Sequence, residues 1–165
     1  MRSIATLSVF VCFGPLAFAG CSAVDDTAQA AVISVAARVT KAMKPCDAAW
    51  QAFRGNRSAK LAGIGYDRCI AATNDISAID TPPGLDDRQS SVLRGAVHTC
   101  ALSAGARGVW MNGLGGAAPA IPDGEDNSAA LNIKCINDLN AAADSVWLEG
   151  GDSRIKTPAY ILDKS

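Results

Sequence analysis

The sequence has few of the residues on which catalytic and metal sites usually depend. It contains one histidine and two glutamates among 165 residues, only 5% of its residues are aromatic, and its formal net charge is −1. A charge so close to zero gives no electrostatic footprint for nucleic acid. The low aromatic content together with 31 alanines favours closely packed helices over a β-sandwich. An apolar content of 49% excludes a disordered tail, and the length corresponds to one domain.

The N-terminal residues predict a secretory signal. Arg2 gives a basic start, and a mostly apolar run follows over 4–13 before Gly14-Pro15 interrupts it. This run is about half the length that a membrane-spanning helix needs, so it indicates the core of a signal peptide. Cys12 lies inside this segment and is expected to be removed with it.

The residues at the end of this segment predict a lipid anchor. The stretch Phe18-Ala19-Gly20-Cys21 resembles a bacterial lipobox, in which the cysteine thiol receives a diacylglycerol. The resemblance implies a signal peptide over 1–20 and an acylated N-terminus and tether over 21–31. By analogy with enterobacterial sorting, Ser22 after the cysteine favours the outer membrane, facing the periplasm, over the inner membrane. Ordinary signal-peptidase cleavage after Ala19, which yields a secreted protein, is the alternative.

Four segments of the remaining chain show helical periodicity. They run over about 27–53 and 58–79, from Asp86 or Asp87 to Met111, and from Asp126 or Asn127 to Val146. We expect Pro45 to kink the first segment or to split it into two helices. Short connections between the first three segments favour antiparallel neighbours. The sequence therefore predicts an all-α, up-down four-helix bundle over 32–149, with two disulfides and a polar C-terminal tail over 150–165.

The apolar stripes of these segments define the expected core. The residues in chain order are Val32, Val35, Ala36, Val39, Met43, Ala49, Trp50, Phe53, Leu61, Tyr66, Cys69, Ala72, Ile76, Ile79, Leu93, Ala96, Val97, Cys100, Ala104, Met111, Leu131, Cys135, Leu139, Ala142 and Val146.

Each predicted helix carries one cysteine besides those of the leader. Counted from the helix ends, Cys46, Cys69, Cys100 and Cys135 all lie about 12–18 Å from the same end of the bundle. An oxidising compartment predicts two disulfides at this level. The spacing permits Cys46–Cys69 with Cys100–Cys135, and equally Cys46–Cys135 with Cys69–Cys100. A four-thiolate site for zinc or copper(I) is the less favoured alternative, because no close C-x-x-C pair is present.

The single histidine does not belong to a recognisable catalytic set. His98 lies two residues before Cys100, about 200° around the helix, so we expect its side chain to point away from the core. No G-x-S-x-G turn marks a nucleophile for it, and no C-x-x-C-H motif marks a haem. The glycine-rich stretch 113–124 lacks the lysine and serine or threonine of a phosphate loop and indicates a linker between helices.

Two tryptophans are the candidates for contact with a ligand or partner. In an antiparallel bundle Trp50 and Trp110 both lie near the end that carries the 113–124 linker, whereas Trp147 falls at the opposite end. Tryptophan is enriched in interface hot spots, but aromatic residues near helix ends more often close a core. Both interpretations remain open at this point.

Together these patterns predict a small, lipid-anchored envelope protein that acts as a non-catalytic binding or accessory module. We expect no cofactor, no bound metal and no nucleic acid, a membrane contact through Cys21, and another envelope protein as partner. The alternative is a periplasmic carrier of a small apolar ligand or haem, held in a pocket between helices near Trp50 and Trp110.

Overall fold

The computed structural model describes residues 26–114 and 124–146, which form four α-helices and no strand. The helices are α1 (Asp26–Gly55), α2 (Ala59–Ser77), α3 (Asp87–Leu114) and α4 (Gly124–Asp144). They pack into an all-α four-helix bundle, and this confirms the predicted fold class. The leader, Cys21 and the C-terminal tail over 150–165 lie outside the described residues.

Successive helices are antiparallel, as their short connections predict. Residues 56–58 join α1 to α2, and residues 78–86 join α2 to α3. Near the start of α3, the Gln89 side-chain amide donates a hydrogen bond of 3.4 Å to the carbonyl of Ser145, just beyond the end of α4. Helix α3 packs most extensively against α2 and α4, whereas α1 packs mainly against α2.

Two helices begin at polar side chains that bind free backbone N–H groups. At the start of α2, Ser58 accepts a hydrogen bond of 3.3 Å from the Leu61 amide. At the start of α3, the Gln89 amide donates to the Asp86 carboxylate at 2.7 Å, and the Asp86 amide donates to the Gln89 side chain at 3.0 Å. This reciprocal pair is a capping box, and it identifies Asp86 rather than Asp87 as the cap.

Helix α1 continues through Pro45, so the predicted split into two helices is wrong. Proline has no N–H to donate to the carbonyl one turn earlier, which ordinarily disrupts a helix. Here Pro45 faces solvent while its neighbours Met43 and Cys46 are buried in the core. Tertiary packing of the flanking turns therefore outweighs the local preference.

The predicted tether and the predicted start of α4 differ from the structure, whereas the predicted start of α1 agrees with it to within one residue. Helix α1 begins at Asp26, and Ala28 and Ala31 are buried, so the predicted tether over 21–31 overlaps the first turns of the bundle. Helix α4 begins at Gly124, two to three residues before the predicted caps Asp126 and Asn127. Sequence periodicity alone locates such ends only within a few residues.

The core follows the predicted apolar stripes closely. Of those residues, five are half-buried and all the others are buried, so none is exposed to solvent. The five are Ala49, Leu61, Tyr66, Ile79 and Leu131. Among the described helices, none is long and apolar enough to cross a membrane.

Candidate functional site

The four cysteines of the bundle form two disulfides, each within one helical hairpin. Cys46 is bonded to Cys69 with a Cα–Cα distance of 4.5 Å, and Cys100 to Cys135 with a distance of 4.7 Å. All four side chains are buried. Two disulfides are therefore confirmed, and the structure selects the within-hairpin connectivity. A four-thiolate metal site is excluded because every sulfur is already bonded.

The two tryptophans meet in the interior, at the end of the bundle that leads into the 113–124 linker. The ring centroids of Trp50 and Trp110 are 4.7 Å apart, and Phe53 approaches Trp110 edge-on at 6.0 Å. Trp50 is 3% and Trp110 6% exposed, so both contribute to core closure. Their predicted contact with a ligand or partner remains a prediction.

An ion pair buried beside these rings was not predicted from the sequence. The Arg107 guanidinium of α3 donates to the Asp47 carboxylate of α1, and both side chains are almost fully buried. Arg107 also lies over the Trp50 ring at 5.6 Å, and Arg57 lies over Trp110 at 5.7 Å. Both contacts are cation–π arrangements. We call Asp47, Arg107, Trp50, Trp110 and Phe53 the packed cluster.

A signal for this ion pair was present in the sequence. Arg107 lies seven residues after Cys100 and four before Met111, which places it on the buried stripe of α3. Asp47 lies between Met43 and Trp50 on the buried stripe of α1 in the same way. One opposite charge on the core face of each of two helices predicts a buried pair, since an isolated buried charge is very costly.

Neutral polar side chains are also buried in the bundle. Ser103 of α3 and Ser128 and Asn132 of α4 are all buried. Among the described residues, neither the indole N–H of Trp50 nor the hydroxyl of Ser103 has a hydrogen-bond partner. The interior of the bundle therefore contains neutral polar groups as well as aromatic and ionic ones.

The opposite end of the bundle contains an open cleft of about 310 Å³ between α1, α2 and α3. Its apolar floor consists of Val35 from α1 and Leu93 and Val97 from α3, all three buried. We call this feature the end cleft. It lies at the end of the bundle where α1 begins and α2 finishes.

Polar and charged residues form the rim of the end cleft. The residues are Ser77, Asp80 and Thr81 at the end of α2, and Arg94 and His98 on α3. His98 is exposed, as its position relative to Cys100 predicts. The sequence did not indicate that Asp80 and His98 would line one cleft, because that arrangement depends on how α2 packs against α3.

The rim brings a serine, an aspartate and the single histidine to one cleft without linking them. No hydrogen bond joins Ser77, Asp80 and His98. Ser77 is the last residue of α2, and a helix C-terminus presents unpaired carbonyls rather than N–H groups. The stabilisation of an oxyanion needs N–H or other donors, so the local backbone does not favour acyl transfer at Ser77.

The described residues contain no group of three or more His, Cys, Asp or Glu side chains arranged to hold a metal ion. Cys12, Cys21 and Trp147 lie outside those residues, so the lipidation of Cys21 stays a prediction. Comparisons with known proteins find no family model, no curated protein and no solved structure that matches this chain.

Proposed function

We propose that this protein is a lipid-anchored cell-envelope module that binds another molecule without transforming it. The observation that carries the proposal is the end cleft, which combines a buried apolar floor with an exposed polar rim. Binding sites usually combine an apolar surface with a few polar groups in this manner. The partner that we propose first is another envelope protein, consistent with an accessory role.

The disulfides support this role because they fix the helices that carry the cleft. Cys46–Cys69 ties α1 to α2, and Cys100–Cys135 holds α3 against α4. A site with rigid walls loses less conformational entropy when it binds than a site that must first become ordered. The bundle therefore offers a preorganised surface rather than one that forms on contact.

The position of the cleft fits an anchored protein. Cys21 precedes the first residue of α1, Asp26, by five residues. A lipid on Cys21 would thus lie within about 18 Å of that end of the bundle, even with the intervening chain fully extended. We infer that the end cleft faces the membrane-proximal space and that the packed cluster points away from it.

The anchor is tested by the intact mass of protein isolated from its native envelope, with and without thiol alkylation. We expect an acylated Cys21 and four cysteines that do not react with the alkylating reagent. A Cys21→Ala variant is the matched control and should lose the added lipid mass. If the wild-type protein instead begins at an unmodified Gly20, it is secreted and has no lipid anchor.

The binding role is tested by a photo-crosslinking amino acid incorporated at Ser77, on the rim of the end cleft. The same amino acid at Asp67, which is exposed on α2 but does not line the cleft, is the control. We expect an adduct in intact cells from position 77 only. Equal adducts from both positions, or none from either, would contradict a protein partner at the cleft.

A carrier of a small ligand is the second candidate, and the end cleft also favours it. Its volume of about 310 Å³ lies at the lower limit of small-molecule sites, about 300–1,000 Å³. This size suits a compact ligand better than haem. A small molecule released from the natively purified protein, detected by mass spectrometry, would distinguish the carrier from a module that binds protein.

A further inference from the structure

We propose that the end cleft binds a small zwitterion with an apolar side group, of the size of an apolar amino acid or dipeptide. The inference rests on the binding role proposed above and names the chemistry of the ligand. It depends on three features of the cleft: opposite charges on facing walls, the absence of an ion pair between them, and an apolar floor.

The two walls of the cleft carry opposite charge. Arg94 lies on the α3 wall, with His98 one turn further along the same helix. Asp80 lies on the opposite wall, just beyond the end of α2. The carbonyls at the C-terminus of α2 add partial negative charge on that side. The α3 wall is therefore complementary to an anionic group, and the α2 wall to an ammonium group.

The opposite charges of the cleft do not neutralise each other. Arg94 and Asp80 line the same cleft, yet among the residues that the structure describes neither forms an ion pair or a side-chain hydrogen bond. By contrast, Arg107 and Asp47 at the other end of the bundle pair directly. Both rim charges thus remain available to a ligand that carries the two opposite charges on one small molecule.

The floor and the volume define the rest of the ligand. Val35, Leu93 and Val97 present an apolar surface between the charged walls. The burial of an apolar side group there contributes about 25 cal/mol per Å² removed from water. A volume near 310 Å³ leaves room for one or two residues of a peptide.

The test is isothermal titration of the full-length mature protein, in detergent micelles, with leucyl-leucine as the probe. Two analogues remove one charge each: N-acetyl-leucyl-leucine lacks the ammonium, and leucyl-leucine amide lacks the carboxylate. The protein variants are Arg94→Gln and Asp80→Asn. Their controls are Arg68→Gln and Asp67→Asn, which change exposed residues of α2 outside the cleft.

We expect each cleft variant to weaken leucyl-leucine binding about tenfold or more, since charged hydrogen bonds are worth more than neutral ones. The controls should leave the affinity unchanged. The Arg94→Gln variant should bind leucyl-leucine amide, which lacks the carboxylate, as well as it binds leucyl-leucine. The Asp80→Asn variant should bind N-acetyl-leucyl-leucine, which lacks the ammonium, as well as it binds leucyl-leucine. When a ligand group and a protein side chain contact each other, removing the second after the first costs no further affinity. This double-mutant comparison therefore identifies which ligand charge contacts which side chain.

His98 provides an independent measure of occupancy, because it is the only histidine and its imidazole gives a single set of NMR signals. These signals should shift in proportion to bound leucyl-leucine. No binding of any of the three probes, or binding that both cleft variants leave unchanged, would overturn the inference. Binding confined to phosphatidylethanolamine vesicles would also overturn it, in favour of a lipid headgroup.

The two proposals fail in different ways. If the crosslinker at position 77 captures a partner protein and no zwitterion binds, the binding role of the cleft stands and the ligand class is wrong. If neither a crosslink nor zwitterion binding is observed, the role of the cleft is itself wrong.

Discussion

The two ends of the bundle differ in where their charged side chains lie and whether those side chains pair with each other. At the linker end, Arg107 and Asp47 pair inside the core and the Trp50 and Trp110 rings fill the space beside them. At the other end, Arg94 and Asp80 line an open cleft and pair with no other residue in 26–114 or 124–146. A buried charge destabilises the fold when its partner is removed, whereas a charge at a cleft rim is available for binding. Substitutions at the first end should therefore alter stability, and those at the second mainly binding.

The largest expected effect is at the buried ion pair. Arg107→Met removes the cation that pairs with the buried Asp47 carboxylate and should lower the free energy of unfolding by about 3–5 kcal/mol. The measurement is urea unfolding of the oxidised protein. The double variant Asp47→Leu with Arg107→Met should recover most of the loss, because no charge then remains buried. A loss below about 1 kcal/mol for the single variant would mean that the pair is not desolvated as the structure shows.

Loss of a disulfide should have the next largest effect on stability. Replacement of either cysteine pair by alanine should lower the free energy of unfolding by about 2–4 kcal/mol. The loop closed by Cys100–Cys135 spans 35 residues and that closed by Cys46–Cys69 spans 23, so the first should contribute about 0.4 kcal/mol more.

The same two variants separate stability from binding. Cys46–Cys69 joins α1 to α2, and both helices line the end cleft, whereas Cys100–Cys135 joins α3 to α4, which does not line it. Loss of the first pair alone should therefore weaken crosslinking from position 77. Equal weakening by both variants would indicate a global loss of structure instead.

Alanine substitutions at two glycines of α3 should change stability by smaller amounts and in opposite directions. A Cβ on Gly108 would lie 3.1 Å from the Cβ of Cys69 and 3.4 Å from the Tyr66 carbonyl, whereas a Cβ on Gly95 would meet nothing within 4 Å. Gly95→Ala should raise the free energy of unfolding by about 0.5–1 kcal/mol through helix propensity. Gly108→Ala should lower it by about 1 kcal/mol, because overpacking outweighs that gain. Thermal unfolding of both variants checks the sign, and stabilisation by both would show that α2 and α3 are less tightly packed.

The smallest effect is expected at the start of α3, near the end cleft. Asp86→Ala removes the carboxylate that binds the Gln89 amide and should cost about 1 kcal/mol of stability. Asp87→Ala is the control, since its side chain caps no amide in the structure and should cost clearly less. Chemical unfolding compares the two, and equal losses would reassign the cap.

The sequence was sufficient for most of the fold, and the reasons are local. The spacing of apolar residues located all four helices. The distance of each cysteine from the end of its helix located the level of the disulfides. Both depend only on helical geometry within a single segment. The structure differs at Pro45, where α1 does not split into two helices. There the burial of Met43 and Cys46 outweighs the local preference of the chain.

The features of the candidate site also differ in whether the sequence could predict them. The meeting of Trp50 with Trp110 follows from antiparallel helices and their equal distance from one end, so it was predictable. The end cleft was not, because residues from three helices form it and its open volume depends on how α2 and α3 approach one another. The ion pair between Arg107 and Asp47 was detectable in principle, as a charge on each of two apolar stripes, but the sequence does not show which charges meet.

Four helices, their antiparallel order, their buried faces and the common level of Cys46, Cys69, Cys100 and Cys135 could be predicted from the amino-acid sequence. These features follow from periodicity, capping and loop length, which act between residues close in the chain. The packing of the helices determines that the disulfides close hairpins, that Arg107 is paired, and that Arg94 and Asp80 pair with no other described residue. Those outcomes depend on distances between helices, which are set by the packing of whole side-chain surfaces and not by any single segment.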